Sequence, residues 1–197
     1  MPHARIILDA LVVEQSRQRI GCSGLTVTAQ RLDQLLRKGG FPYVVIGVYA
    51  VQQYGYRRFT EDVDVVVSRR QAARDYLVMT GHFKPVAGSQ MTIVDRETGI
   101  TVDLLPAGRQ DSPSAFPYPD PDKCNMRSGI RCVDFEELVA LKLSTGRNKD
   151  SADVTELAKI NSLPVDLMDG YTTAIVQAYT KVWQQAQDEI KRQPAPE

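Results

Sequence analysis

Gly55-Tyr56-Arg57-Arg58-Phe59-Thr60-Glu61-Asp62-Val63-Asp64-Val65-Val66-Val67 is the stretch from which the rest of the chain is read. Its second half sets four valines around two aspartates, a β-branched run that predicts a strand. Strand side chains alternate, so Asp62 and Asp64 share one face. Two carboxylates only about 5–7 Å apart repel and raise each other's pKa, whereas a divalent cation reverses that sign and makes the pair favourable. Hard oxygen donors suit Mg²⁺, with Mn²⁺ able to take its place. Alternation alone offers a blander account, in which the aspartates are the solvent side of a strand whose valines face inward.

Working outward, residues 43–46 form a short β-branched run, Gly47 breaks it, and residues 50–54 suit a short helix ending at Gly55. The amides of such a turn and helix start face an approaching anion, and a triphosphate is the natural guest. Downstream, residues 69–80 read as a helix with Ala73, Tyr76, Leu77 and Thr80 on one face. Three strands are expected at 83–86, 91–94 and 100–105, with a turn over 95–99. Asp103 stands alone in the apolar run Thr101-Val102-Asp103-Leu104-Leu105, where an unpaired carboxylate is expensive to bury. If its strand neighbours the one bearing Asp62 and Asp64, three carboxylates converge on two metal ions spaced about 3.5–4 Å apart, as in phosphoryl chemistry.

The flanks complete an expected α/β (α+β) fold, a mixed β-sheet flanked by helices with a helical C-terminal annex. Residues 1–28 read as an irregular or partly helical lead-in, followed by a helix over 29–38 that carries Leu32, Leu35 and Leu36 and stops at Gly39-Gly40. Five prolines between 106 and 129 predict a long loop or lid. After a short strand at 130–133, Asp134 and Glu137 read as a capping box that opens a helix to about 145. A second helix is expected near Asp150. A third, over 169–190, has Tyr171, Ile175, Tyr179, Val182, Trp183, Ala186 and Ile190 on one stripe, and residues 193–197 read as a frayed tail. The expected division is a core over 1–133 and a helical region over 134–197.

Bulk properties narrow the function classes. The 197 residues carry 24 basic and 24 acidic side chains and are 43% hydrophobic, so the chain builds a real core and its overall field does not by itself point to nucleic acid. Cys22, Cys124 and Cys132 lack the paired spacing of a zinc site or disulfide framework and read as reduced thiols. No apolar run reaches the roughly 20 residues of a membrane span, and residues 1–5 do not open a signal peptide, so a cytoplasmic protein is expected.

Two segments together, Ile46-Gly47-Val48-Tyr49-Ala50 and Gly55 to Asp64, resemble the signature of the nucleotidyltransferase superfamily of the DNA polymerase β type. That signature is a glycine turn and helix, then Gly-x-x-Arg-x-Thr-x-Asp-x-Asp, here Gly55, Arg58, Thr60, Asp62 and Asp64. The resemblance covers roughly residues 40–160. It implies that Asp62, Asp64 and Asp103 hold two Mg²⁺ ions and that Gly47, Val48, Arg58 and Thr60 help to seat a nucleoside triphosphate. The implied reaction passes a nucleoside monophosphate to an acceptor hydroxyl on a tRNA, a protein or a small molecule and releases pyrophosphate. A finer likeness is to bacterial abortive-infection toxins, which add a helical lysine and a basic-Asp-x-x-Asp motif. Lys142, and Asp150 with Asp153 after Arg147, fit it. By that likeness Lys142 contacts phosphates and acts in catalysis, Asp150 and Asp153 order the nucleotide site or assist proton transfer, and an antitoxin is a partner.

Each of these residues has a plainer role open to it. Lys142 suits a snorkelling or salt-bridged lysine, Asp150 a helix N-cap, and Asp153 the positive end of that helix. Tyr49, Tyr54 and Tyr56 are packing residues or base platforms. Val48 departs from the signature, which has a second small residue there, and a branched side chain reshapes the approach to phosphate. The competing function is a degenerate nucleotidyltransferase fold serving as a binding or regulatory module. A metal-dependent nuclease also uses clustered carboxylates, but fits the glycine turn and Lys142 less well.

Overall fold

Ser23 opens the first helix by accepting a hydrogen bond on its side chain from the Thr26 amide at 3.1 Å. Helix α1 then runs Gly24–Lys38, with Leu25, Thr28, Ala29, Leu32 and Leu36 buried along one stripe. The computed structural model describes residues 23–108 and 116–192. The helix thus begins ahead of residue 29: a capped start and a buried Leu25 outweigh the weak helix propensity of Gly24 and of Thr26, Val27 and Thr28. The remainder of the expected lead-in, with Cys22, and the tail at 193–197 lie outside the described residues.

The chain continues through β1 (Tyr43–Val45), α2 (Gly47–Gln53), β2 (Asp62–Val67), α3 (Arg70–Met79), β3 (Phe83–Pro85), β4 (Thr92–Asp95) and β5 (Thr101–Pro106). It ends with β6 (Asn125–Arg127), β7 (Ile130–Cys132), α4 (Phe135–Ser144), α5 (Asn148–Asn161) and α6 (Thr173–Arg192). Several bounds differ from expectation. Helix α2 starts at Gly47 itself, three residues before 50. The proline-rich stretch contains a strand, β6, which begins after its last proline, Pro121, and has all three residues exposed. Asp134 takes the N-cap position of α4 but makes no side-chain cap bond, and its Oδ1 is buried without a partner, so the expected capping box does not form. Arg147, not Asp150, holds the N-cap position of α5. Helix α6 starts after Tyr171, and Ile190 at the far end of its stripe is 42% exposed.

The seven strands form one sheet in the order β3-β4-β5-β2-β1-β7-β6. The β2–β5 and β1–β7 pairs are parallel and the others antiparallel, which makes the sheet mixed and the fold α+β. Alternation along β2 assigns its faces. Val63, Val65 and Val67 join Leu32 and Leu36 of α1 and Ala73 and Leu77 of α3 in one core, with Val102 and Leu104 of β5. Val66 faces the other way, into a second core with Ala50 and Val51 of α2, Leu138 and Leu141 of α4 and Leu157 of α5. Asp62, Asp64 and Asp103 fall on this second face by the same alternation.

Helix α4 is buried on two sides. Leu138 and Leu141 press on the sheet, while Val139, Ala140 and Leu143 meet Val154 of α5 and Ile175, Tyr179 and Val182 of α6. The C-terminal helices therefore share a hydrophobic seam with the sheet through α4, and that seam brings the start of α5 beside the carboxylates.

Candidate active site

Strand β5 lies directly beside β2 with Asp64 and Asp103 as register partners, and Asp62 opposite Thr101. Neighbouring strands are about 4.8 Å apart, so three carboxylates share one patch at the N-terminal ends of two parallel strands. Burial first, then the charges of Asp62 and Asp103, push the Asp64 carboxyl up to about 6, while Lys142 and Arg147 pull it back. Thr60 donates a short hydrogen bond to Asp62 Oδ1, and Thr92 of β4 donates to Asp103 Oδ1 at 2.6 Å.

Asp64 is seated by the turn between β1 and α2. The Ile46 amide donates to the Asp64 carbonyl at 2.9 Å, and the next residue, Gly47, adopts φ +65°. A Cβ at Gly47 would stand 2.0 Å from Asp64 Oδ2, closer than any non-bonded contact allows. Glycine is therefore required twice over, for the left-handed backbone and for the room the carboxylate occupies. Val48, the next residue, is buried at 7% exposure.

The remaining expected site residues form an ion network. Lys142 Nζ donates to Asp150 Oδ1 at 3.0 Å and Asp153 Oδ2 at 2.7 Å, with Lys142 6% exposed and the two aspartates 2% and 1%. Arg147 Nε and Thr145 Oγ1 donate to Asp150 Oδ2 at 2.5 and 2.7 Å. Arg58 Nε lies 2.7 Å from Asp153 Oδ1, a charge contact not aligned as a hydrogen bond. Burial pushes the Asp150 carboxyl up, but Lys142 and the hydrogen bonds from Thr145, Lys142 and Arg147 outweigh it and leave the group below its usual range. Two acids among three bases give the network a net charge of about +1, and the charges of its Lys142 and Arg147 reach Asp64.

Structure thus gathers Asp62, Asp64 and Asp103 with Gly47 and Thr60, and gathers Arg58, Lys142, Asp150 and Asp153 into the network beside them. Tyr49 and Tyr54 are packing residues: both are buried, and Tyr54 donates its hydroxyl to the Val133 carbonyl at 2.8 Å. Thr92 was not among the residues singled out from sequence. Counting the hairpin register back from the turn at 95–99 places it opposite Asp103, which is the signal that would have found it.

Comparison with solved structures agrees on the architecture. An antigenic nucleotidyltransferase-like protein from Paracoccidioides brasiliensis superposes with a TM-score of 0.56 at 17% identity, covering 84% of this chain and 89% of that one. The fold is nucleotidyltransferase-like. Two further structures align at TM-scores below 0.5. The antibiotic-resistance factor ANT(2'')-Ia gives 0.41 at 12% identity over 82% of this chain and 88% of that one. A tRNA nucleotidyltransferase solved with a primer tRNA and an incoming ATP analog gives 0.37 at 14% identity over 83% and 52%. The chain matches no protein-family model and no curated protein. No helix among the described residues is long and apolar enough to cross a membrane.

Within this nucleotidyltransferase-like fold the carboxylate patch has the donor chemistry of a divalent-cation site. All three groups supply hard oxygens, and Asp64, raised first by burial and then by the charges of Asp62 and Asp103, is a carboxylate whose ionised form a nearby cation would favour. Among the described residues no three or more His, Cys, Asp or Glu side chains stand together as a group that could hold an ion in their present placement. Thr60 and Thr92 each donate to one oxygen, Oδ1, of the flanking aspartates.

Proposed function

We propose that the protein is a metal-dependent nucleotidyltransferase that passes a nucleoside monophosphate from a nucleoside triphosphate to an acceptor hydroxyl. The observation that carries this reading is the side-by-side placement of Asp64 and Asp103 on parallel strands, with Asp62 on the same face and Gly47 cut back to admit Asp64. Asp62, Asp64 and Asp103 would hold Mg²⁺ or Mn²⁺, which when bound supplies charge neutralisation for the phosphates and the departing pyrophosphate. The new bond joins the acceptor oxygen to the α-phosphorus, and the bond from that phosphorus to the oxygen bridging to the β-phosphate breaks. Asp103 takes the proton that the acceptor hydroxyl loses.

The other residues act by field and position. Lys142 has three N–H donors and spends two on Asp150 and Asp153, so it offers one donor and its charge rather than a free ammonium. Arg147, with 58% of its side chain exposed, supplies a cation at the mouth of the same region. The acceptor, a tRNA, a protein or a small molecule, is selected by the surface around the helical region. A toxin-like role with an antitoxin partner rests on the Lys142, Asp150 and Asp153 pattern.

The competing reading, a binding module that no longer turns over, draws on the engagement of Lys142 with two carboxylates. Calorimetric titration with each of the four nucleoside triphosphates, with and without Mg²⁺, separates the two. Metal-dependent binding that disappears in Asp64→Asn is the expected result. Absence of binding for all four nucleotides would reject the transferase and leave the module.

A further inference from the structure

Asp103 is held by a directional chain of hydroxyls that begins outside the carboxylate patch. Ser89 Oγ donates to Thr92 Oγ1 at 2.7 Å, and Thr92 Oγ1 donates to Asp103 Oδ1 at 2.6 Å. A hydroxyl has one proton to give, so with Ser89 donating to it, Thr92 sends its own proton to the carboxylate. Ser89 is itself fixed by the turn: its Oγ accepts from the Thr92 amide at 3.0 Å and the Met91 amide at 3.4 Å. Backbone bonds from Val86 N to Thr92 O and from Ser89 N to Val86 O, both 3.2 Å, close that turn.

Ser89 closes the turn through these amides, but folding alone does not call for the Thr92 hydroxyl. Thr92 is a half-buried strand residue, where valine would match its shape and β-preference without a polar group to satisfy. The chain instead terminates on one oxygen of a carboxylate at the centre of the proposed chemistry, and Thr60 grips Asp62 in the same way. We propose that Thr92 and Ser89 are positioning residues that lock Asp103 through one oxygen and reserve the other for the divalent cation. The inference rests on the cation-binding reading above.

Binding of Mn²⁺ alone, followed through the electron paramagnetic resonance signal of the free ion, tests it without any need for the acceptor. Outer partners of metal ligands typically carry about 10–100-fold in affinity. Thr92→Val is accordingly expected to weaken Mn²⁺ binding at least about tenfold. Thr92→Ser should restore binding, and Ser89→Ala should weaken it less. Thr101→Val, which removes a hydroxyl bonded to the Glu61 carbonyl, should leave it unchanged. Circular dichroism and thermal unfolding establish that each variant is folded. A folded Thr92→Val with wild-type affinity, while Asp64→Asn has lost the ion, overturns this proposal alone. Should Thr92→Val not fold, unchanged affinity in Ser89→Ala overturns it. A wild-type protein that does not bind Mn²⁺, or binds it equally well as Asp64→Asn, brings down the cation reading and this proposal together.

Discussion

Buried beside Asp62 and Asp103, Asp64 ionises only at about pH 6, against an ordinary value of 3.8. The folded state therefore binds this proton more tightly than the unfolded chain does. The resulting stabilisation is complete below pH 3.8 and is lost as pH rises through 6, a difference on the order of 3 kcal/mol. Asp64→Asn removes that penalty. In chelator at pH 7.5 it should unfold at a temperature several degrees above the wild type, with the gap closing as pH falls toward 4. Scanning calorimetry at the two pH values checks this, and equal transition temperatures at pH 7.5 would show that Asp64 is not strained. Residue chemistry was the most legible level of the sequence: two aspartates two apart in a valine run had to share a face. The space left by Gly47 for Asp64 was not legible, because it depends on a contact across the β1–β2 pair.

At the level of elements, the start of α5 docks on α4 through Lys142, Asp150 and Asp153. Removing one partner of a buried ion group leaves an uncompensated charge, at a cost of about 3–5 kcal/mol. Lys142→Met should lose stability of that order in urea unfolding at pH 7. Arg147→Ala, which removes a largely exposed partner, should cost less than about 1 kcal/mol. Similar losses for the two would mean that Lys142 is not the keystone of the network. Helices with strong periodicity and the hairpin over 95–99 were readable from sequence. The start of α1 at Gly24 and the strand β6 were not, since a serine cap and a sheet edge overrode local signals of loop.

For the whole molecule, a ligand that binds only the folded state raises its stability by about 2.7 kcal/mol when present at 100 times its Kd. Mg²⁺ at that excess should raise the wild-type unfolding temperature by about 5–10 °C and leave Asp64→Asn nearly unmoved. The variant that is more stable in chelator should thereby lose its advantage in metal. A rise of equal size in both proteins would place the ion elsewhere. The sheet makes this coupling global, because β2 and β5 occupy its centre and carry both hydrophobic cores as well as the carboxylates.

By itself the sequence determined the strand bearing Asp62 and Asp64, the glycine turn before it, and the helical C-terminal region, because each depends on periodicity or on residues close along the chain. Only the tertiary structure decided that β5 lies beside β2 with Asp103 level with Asp64, that Lys142 joins Asp150 and Asp153, and that Thr92 ends a hydroxyl chain on Asp103. Strand order across nearly forty residues and pairing among buried charges are settled by which packing covers both faces of the sheet and leaves fewest polar groups unsatisfied, a condition of the whole chain rather than of any segment.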